Sequence, residues 1–137
     1  PLDATDLDEL AAFDTPTFGA SRSALFRALL QDFPGRAFAS HDRAGRMTGF
    51  LFAQPRRLGP WVAGDPEDAE SLLRAALTLS FEGLPLAIAP QSNQAALALL
   101  ERYGFARGRV NRHMVRGALP QPGDRSVVYG LTSFAIG

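Results

Sequence analysis

The chain of 137 residues has no cysteine, one tryptophan and only two histidines. Without cysteine it has no disulfide framework and no thiolate zinc site, and two histidines are too few for a histidine-rich metal site. The sequence therefore predicts no metal centre. Net charge is absent too, because fourteen basic residues balance fourteen acidic ones. We therefore expect neither nucleic acid nor a membrane surface as a partner bound through overall charge.

Long apolar runs are also missing. No stretch approaches the roughly 18 apolar residues that a membrane span needs, and no signal peptide is visible, so we expect a cytoplasmic protein. Hydrophobic residues nevertheless make up 46% of the chain, which favours a packed core over disorder. We expect one domain over residues 1–137, and the start at Pro1 without methionine is compatible with a fragment of a longer tandem protein.

Two short apolar runs joined by an amphipathic segment dominate the middle of the sequence. Residues 61–63 form the first run, and Asp65 and Pro66 then give an N-cap and a proline at the first helical position. Apolar residues follow at helical spacing, namely Ala69, Leu72, Leu73, Ala76 and Leu77. Gly83 is expected to end this helix before the second run, residues 86–89. Two strands joined by a helix are predicted to pair in parallel through a right-handed crossover.

The remaining segments predict further helices and strands around this centre. The expected elements are a helix from Thr5 or Asp6 that ends at residues 14–16, a helix capped by Ser21, strands at 36–41 and 47–54, a helix capped by Ser92 and ended by Gly104, a strand at 109–116, and a strand or packed tail at 127–136. A turn through residues 55–57 is expected before the centre, and Gly49 within its strand indicates a bulge or a close neighbour.

The pattern Asn93-x-x-Ala96-x-x-Leu99-Leu100-x-x-x-Gly104-Phe105 resembles the second signature segment of the GNAT superfamily of acyl-CoA N-acyltransferases. Three shorter stretches resemble the C-terminal GNAT-like half of tandem bacterial acetyltransferases, namely residues 18–22, Gly59-Pro60 and residues 129–133. The resemblance implies an α/β fold with a mixed, mostly antiparallel sheet, a central parallel strand pair and about four helices. It also makes a second GNAT domain a candidate partner.

The resemblance implies transfer of an acetyl group from acetyl-CoA to a small amine, a peptide or an amino terminus. In that family two parallel strands diverge, and free backbone groups between them bind the pantetheine arm. The residues implied as cofactor-binding are Trp61, Val62, Ala63, Gly64, Ala69 and Asn93. Those implied as a wall of the substrate cleft are Asp14, Phe18 and Arg22. No catalytic residue is identified, and Tyr103 is the one weak candidate for the acid.

Two positions depart from the family's pattern. Glu67 stands where the family's phosphate-binding loop has glycine. Leu100 stands where the family usually has the tyrosine that acts as the general acid. Carboxylates at a helix start complement the helix dipole by roughly 0.3–1 kcal/mol each, but they repel a pyrophosphate. The sequence therefore predicts weak or absent acetyl-CoA binding. The alternative hypothesis is a degenerate GNAT-like domain that binds a ligand or a partner domain.

Each candidate residue also has a structural interpretation. Asn93 suits a helix start, Tyr103 suits the core, and Trp61 lies in an apolar strand. Asp14 and Arg22 can form an ion pair if the first two helices make a hairpin. A third hypothesis is self-association, in which residues 127–136 pair with a second copy of the chain.

Overall fold

The computed structural model describes residues 1–111 and 123–133. Its helices are α1 (Leu7–Phe18), α2 (Ser23–Asp32), α3 (Pro66–Ala76) and α4 (Gln94–Arg102). Its strands are β1 (Ala37–His41), β2 (Met47–Gln54), β3 (Arg57–Ala63), β4 (Leu86–Ala87) and β5 (Val128–Gly130). The predicted α/β fold with four helices and a mostly antiparallel sheet is confirmed over these residues.

The sheet places two strands on the same edge of β3. Strands β1, β2 and β3 are antiparallel neighbours, and β4 pairs with β3 in parallel. Strand β5 is antiparallel to β3 and pairs farther along that strand. The predicted parallel pairing of these two strands is therefore confirmed, but it joins Arg57 and Leu58 to Leu86 and Ala87 and includes none of residues 61–63. The expectation of a simple turn at residues 55–57 is wrong in that respect, because Arg57 already pairs with Gln54 across the β2–β3 hairpin.

Apolar side chains cover both faces of the sheet. Phe50 and Phe52 of β2 point to the side of α1 and α2, where the Phe26 ring lies 5.5 Å and 5.7 Å from theirs between centroids. Leu51 and Trp61 point to the other side, where helices α3 and α4 pack. Successive strand residues face opposite sides, so the apolar run in β2 is a strand buried on both faces. Gly49 has the predicted close neighbour, since a Cβ there would lie 2.9 Å from the Val62 carbonyl oxygen.

Helix α1 runs through Pro16, so the prediction that residues 14–16 end it is wrong. A proline removes only one backbone N–H, and the helix is stopped instead by Gly19, whose φ of 86° is left-handed. The Gly19 N–H donates to the Thr15 carbonyl oxygen over 2.8 Å and closes the last turn.

Three other boundaries differ from the predictions. Helix α3 ends at Ala76 and not at Gly83, because Leu77 is its C-cap and is 37% exposed. Helix α4 is capped by Asn93 and not by Ser92, since the Asn93 side chain accepts from the Ala96 N–H over 2.9 Å. Helix α2 has Arg22 and not Ser21 at its N-cap, without a side-chain capping bond.

The last two predicted elements lie partly outside the described residues. Residues 109–111 form no strand, and the rest of the expected strand, residues 112–116, is not described. Within the expected tail, strand β5 is present, while residues 134–136 lie outside the description. Among the described residues, the helices are all too short or too polar to cross a bilayer.

Candidate functional site

Strands β3 and β4 separate after a short contact. Their parallel pairing covers Arg57 with Leu86 and Leu58 with Ala87, and it stops there. Beyond these pairs, residues 59–62 of β3 and residues 88–90 diverge, and we call the space between them the notch. The separation of the two strands that the resemblance implies is therefore present in the backbone.

Strand β5 fills the notch. Gly130 pairs with Trp61, and Val128 pairs with Val62, on the edge of β3 that faces the notch. The Leu131 N–H donates to the Ile88 carbonyl oxygen on the opposite wall over 2.8 Å. The chain's own backbone thus binds both walls, in the place where the resemblance implies a pantetheine arm.

Two side chains hold the strand from its ends. Asn93 donates from Nδ2 to the Val128 carbonyl oxygen over 2.9 Å, while its Oδ1 caps α4. Arg57 donates from Nη1 to the Thr132 carbonyl oxygen over 2.7 Å. Asn93 therefore caps helix α4, as its structural interpretation predicted. It also binds strand β5, which occupies the notch.

Glycines let the two backbones approach closely. Gly59 has a φ of 139°, and a Cβ on it would overlap the Leu131 carbonyl oxygen. A Cβ on Gly130 would lie 2.9 Å from the Leu58 carbonyl oxygen, closer than real Cβ contacts. Side chains at either position would push the strand away from β3.

Aromatic side chains cover the strand on the α3–α4 face. The Trp61 and Tyr129 rings lie 5.2 Å apart between centroids, and both residues are almost fully buried. Burial, and next the negative charge of Asp65, raise the pKa of Tyr129 above its ordinary value. Trp61 Nε1 has no hydrogen-bond partner within residues 1–111 and 123–133. The Tyr129 ring belongs to the core cluster that also contains Trp61 and Ala69 of α3.

The start of α3 is acidic. Asp65 caps the helix by accepting from the Asp68 N–H over 2.9 Å. A cleft of about 300 Å³ opens between α3 and α4, lined by Pro66, Glu67, Glu70, Ala95, Ala98, Leu99 and Arg102. Two carboxylates against one guanidinium leave this cleft unfavourable for a pyrophosphate.

The other residues predicted to bind the cofactor make contacts within the protein, away from the notch. Ala63 pairs with Gly49 of β2, and the Gly64 N–H donates to the Thr48 carbonyl oxygen over 2.8 Å. Ala69 is fully buried in the core. Trp61, Val62 and Asn93 do come together, and what they surround is strand β5.

Tyr103, the candidate acid, is bonded to helix α3. Its hydroxyl donates to Glu70 Oε1 over 2.8 Å, and Arg102 donates to Glu70 Oε2. The bond to Glu70 raises the pKa of Tyr103, which makes the hydroxyl a weaker acid. The same bond, and next that from Arg102, lower the pKa of Glu70 below its ordinary value of 4.5.

Tyr103→Phe is expected to raise the Glu70 pKa toward 4.5, because the ionised carboxylate loses its main hydrogen-bond donor. Because the Glu70 pKa is lower in the folded state than its ordinary value of 4.5, ionised Glu70 stabilises the fold fully above pH 4.5. This stabilisation is lost as the pH falls through the folded-state pKa of Glu70. An NMR titration of the side-chain carboxyl carbons measures the shift. Asp42, whose pKa Arg46 keeps low, is the internal reference and should not move. An unchanged Glu70 midpoint would contradict the Tyr103 bond.

The residues predicted to line the substrate cleft form a buried cluster. Arg22 donates from Nε and Nη2 to the two oxygens of Asp14, over 2.9 Å and 2.6 Å. The guanidinium carbon also lies 4.0 Å from the centroid of the Phe18 ring. Asp14 is fully buried and Arg22 is 8% exposed, so the pair joins α1 to α2. This geometry favours the structural ion pair, while a substrate role stays a prediction.

The sequence analysis did not predict which residues of the chain fill the notch or hold the strand there. Gly59 and residues 129–133 stood out for their resemblance to tandem acetyltransferases, but nothing indicated that they touch. Arg57 carried no signal at all. The signal that could have indicated this contact is the pair Gly59 and Gly130, because glycine in a strand often marks a place where another backbone approaches closely.

Comparison with known proteins supports the fold. Residues 10–130 match the sequence profile described as acetyltransferase (GNAT) domain. The crystal structure of a presumed acetyltransferase from Pyrococcus horikoshii superposes with a TM-score of 0.70 at 21% identity, over 95% of this chain and 43% of that one. A second presumed acetyltransferase superposes with a TM-score of 0.58 at 16% identity, over 85% of this chain and 95% of that one. Among curated proteins, none matches this chain in sequence.

These matches differ in what they show. The structural neighbours are so distant in sequence that they show the fold alone. The chain spans 43% of the Pyrococcus protein, so a tandem arrangement stays a prediction. The profile, in contrast, covers most of the chain, from the first helix to strand β5. This chain therefore belongs to the GNAT acetyltransferase family.

Proposed function

We propose that this GNAT domain is an accessory domain of an acetyltransferase, which binds a partner domain and does not bind acyl-CoA in its own notch. The observation that carries the proposal is strand β5. It uses the backbone groups of Trp61 and Val62 that the family resemblance assigns to the cofactor. A ligand needs those groups free, because each hydrogen bond it makes replaces one already made within the protein.

The residues present do not fit acetyl-CoA. The pantetheine arm would overlap Val128–Gly130, and the pyrophosphate would meet Glu67 and Glu70 beside the start of α3. Tyr103, the candidate acid, is held by Glu70. We therefore derive no acyl-transfer step for this domain, and we place catalysis in a partner domain. The length of the Pyrococcus relative, of which this chain covers 43%, leaves room for such a domain.

A second candidate function is an N-acetyltransferase acting on a small amine or an amino terminus. The cleft of about 300 Å³ between α3 and α4 favours it, because Ala95, Ala98 and Leu99 give that cleft an apolar wall. This function requires strand β5 to leave the notch. It also requires the charge of Glu67 to be tolerated or neutralised.

Titration calorimetry with acetyl-CoA separates the two functions. We expect no binding tighter than about 1 mM, the range of a ligand that gains only about 4 kcal/mol. Glu67→Gly is the matched variant, since it removes the carboxylate from the position where the family's phosphate-binding loop has glycine, and it changes no residue of β5. It should not bind either. A low-micromolar Kd for the unaltered chain overturns the accessory function, and micromolar binding by the variant alone shows that charge, not the strand, is the barrier.

A further inference from the structure

We propose that the notch is a binding site for an extended peptide, and that strand β5 is the ligand it holds within the same chain. This goes beyond the accessory function, because it assigns a ligand class to a site. The walls of the notch offer backbone groups of β3 and the Ile88 carbonyl oxygen, as a sheet does to an added strand. An incoming segment that supplies the same backbone bonds can replace β5.

The contacts of β5 define what the site selects. The backbone carbonyl oxygen at position 128 accepts a hydrogen bond from Asn93, and the one at position 132 accepts a hydrogen bond from Arg57. Position 130 must be small, because any Cβ there meets the Leu58 carbonyl oxygen. Position 129 places an aromatic ring on Trp61. The ligand class is therefore an extended peptide with an aromatic residue directly before glycine.

The present occupant satisfies the site incompletely. Trp61 Nε1 is buried and has no hydrogen-bond partner within the described ranges. Arg57 uses Nη1 on the strand, while its Nε is also unpartnered there. A peptide that brings acceptors to these donors would hold the notch better than β5 does. Among the described residues, two residue pairs join β5 to β3, with an irregularity in the register between them, so an incoming strand has few ladder bonds to replace.

The test uses the full chain with Gly130→Val, which blocks docking of β5 by contact with Leu58. The probe is a synthetic peptide of this chain's residues 124–133. Trp61 is the only tryptophan, so its fluorescence reports whether the aromatic contact in the notch is present. We expect the variant's Trp61 emission to shift to longer wavelength. The peptide should then restore it with a micromolar Kd, at least tenfold more tightly than it binds the unaltered chain.

A peptide that itself carries Gly130→Val is the matched control and should restore nothing. Tyr129→Ala is the second variant, for the case that Gly130→Val does not fold, as judged by circular dichroism. Failure of the peptide to restore emission in a folded variant overturns the proposal. Unfolding of both variants overturns it too, because a strand that cannot leave the folded protein is not an exchangeable ligand.

The outcome is independent of the accessory function. Acetyl-CoA binding to the unaltered chain would overturn that function and leave peptide exchange to be judged by the peptide alone. Absence of peptide binding would overturn the peptide site and leave the calorimetry result untouched. A dimer that exchanges β5 between two copies supports the peptide site, since the strand then comes from another chain.

Discussion

Gly59→Ala is expected to lower the free energy of unfolding by about 3 kcal/mol and to displace strand β5. A φ of 139° costs a residue with a side chain roughly 1–3 kcal/mol. The new methyl group also overlaps the Leu131 carbonyl oxygen, and such overpacking typically costs about 1–3 kcal/mol more. Urea unfolding followed by circular dichroism measures the loss, and Trp61 fluorescence of the folded variant reports the position of the strand.

Gly83→Ala is the matched control for Gly59. Its φ of 95° is also unfavourable for a side chain, but within residues 1–111 and 123–133 no atom other than those of its chain neighbours lies within 4 Å of the added Cβ. We expect it to cost about 1–2 kcal/mol, the backbone term alone, and to leave Trp61 emission unchanged. Equal losses in the two variants would show that close approach to Leu131 is not what requires glycine at position 59.

Asp14→Asn is expected to cost about 3 kcal/mol of stability, because it leaves the buried Arg22 guanidinium without its counter-charge. Glu101→Gln breaks an ion pair of the same kind with Arg107 on the surface, where both side chains are largely exposed. Such a pair contributes about 0–1 kcal/mol, so this control should be nearly neutral. Chemical denaturation of both variants gives the comparison.

The combined change Asp14→Leu with Arg22→Met tests what the pair is for. Replacing both charges by apolar groups should cost less than Asp14→Asn alone, since no buried charge is left unpaired. A neutral or stabilising effect of Asp14→Asn would contradict a stabilising role for the ion pair. The substrate-cleft prediction would then be favoured over the structural ion pair.

Local patterns predicted most of the helices and strands. The spacing of apolar residues placed α3 and α4, because one helical turn depends on neighbours three and four positions away. Boundaries were less predictable. Pro16 was expected to end α1, but the left-handed Gly19 and the buried Asp14–Arg22 pair hold the last turn together. The Gly19 cap is a local signal, since its N–H bonds the Thr15 carbonyl oxygen four residues back. The Asp14–Arg22 pair, in contrast, forms only when the first two helices pack together.

The occupant of the notch could not be predicted in the same way. Arg57 and Thr132 are 75 positions apart, and Asn93 and Val128 are 35 positions apart. The two apolar runs that flank a helix predicted the parallel pair, and the resemblance to the GNAT superfamily implied the opening between its strands. The sequence also contained the strand, as an apolar tail. Only the three-dimensional structure shows that one fills the other.

Strand β5 is also the last described element to leave the ribosome. Until residues 128–132 follow, the free edge of β3 and the Trp61 ring have no cover from this strand. An uncovered sheet edge pairs readily with edges of other chains, so a polypeptide that still lacks residues 128–132 is more prone to aggregate than one that has them. The same few residues that close the notch thus protect the newly made protein from aggregation.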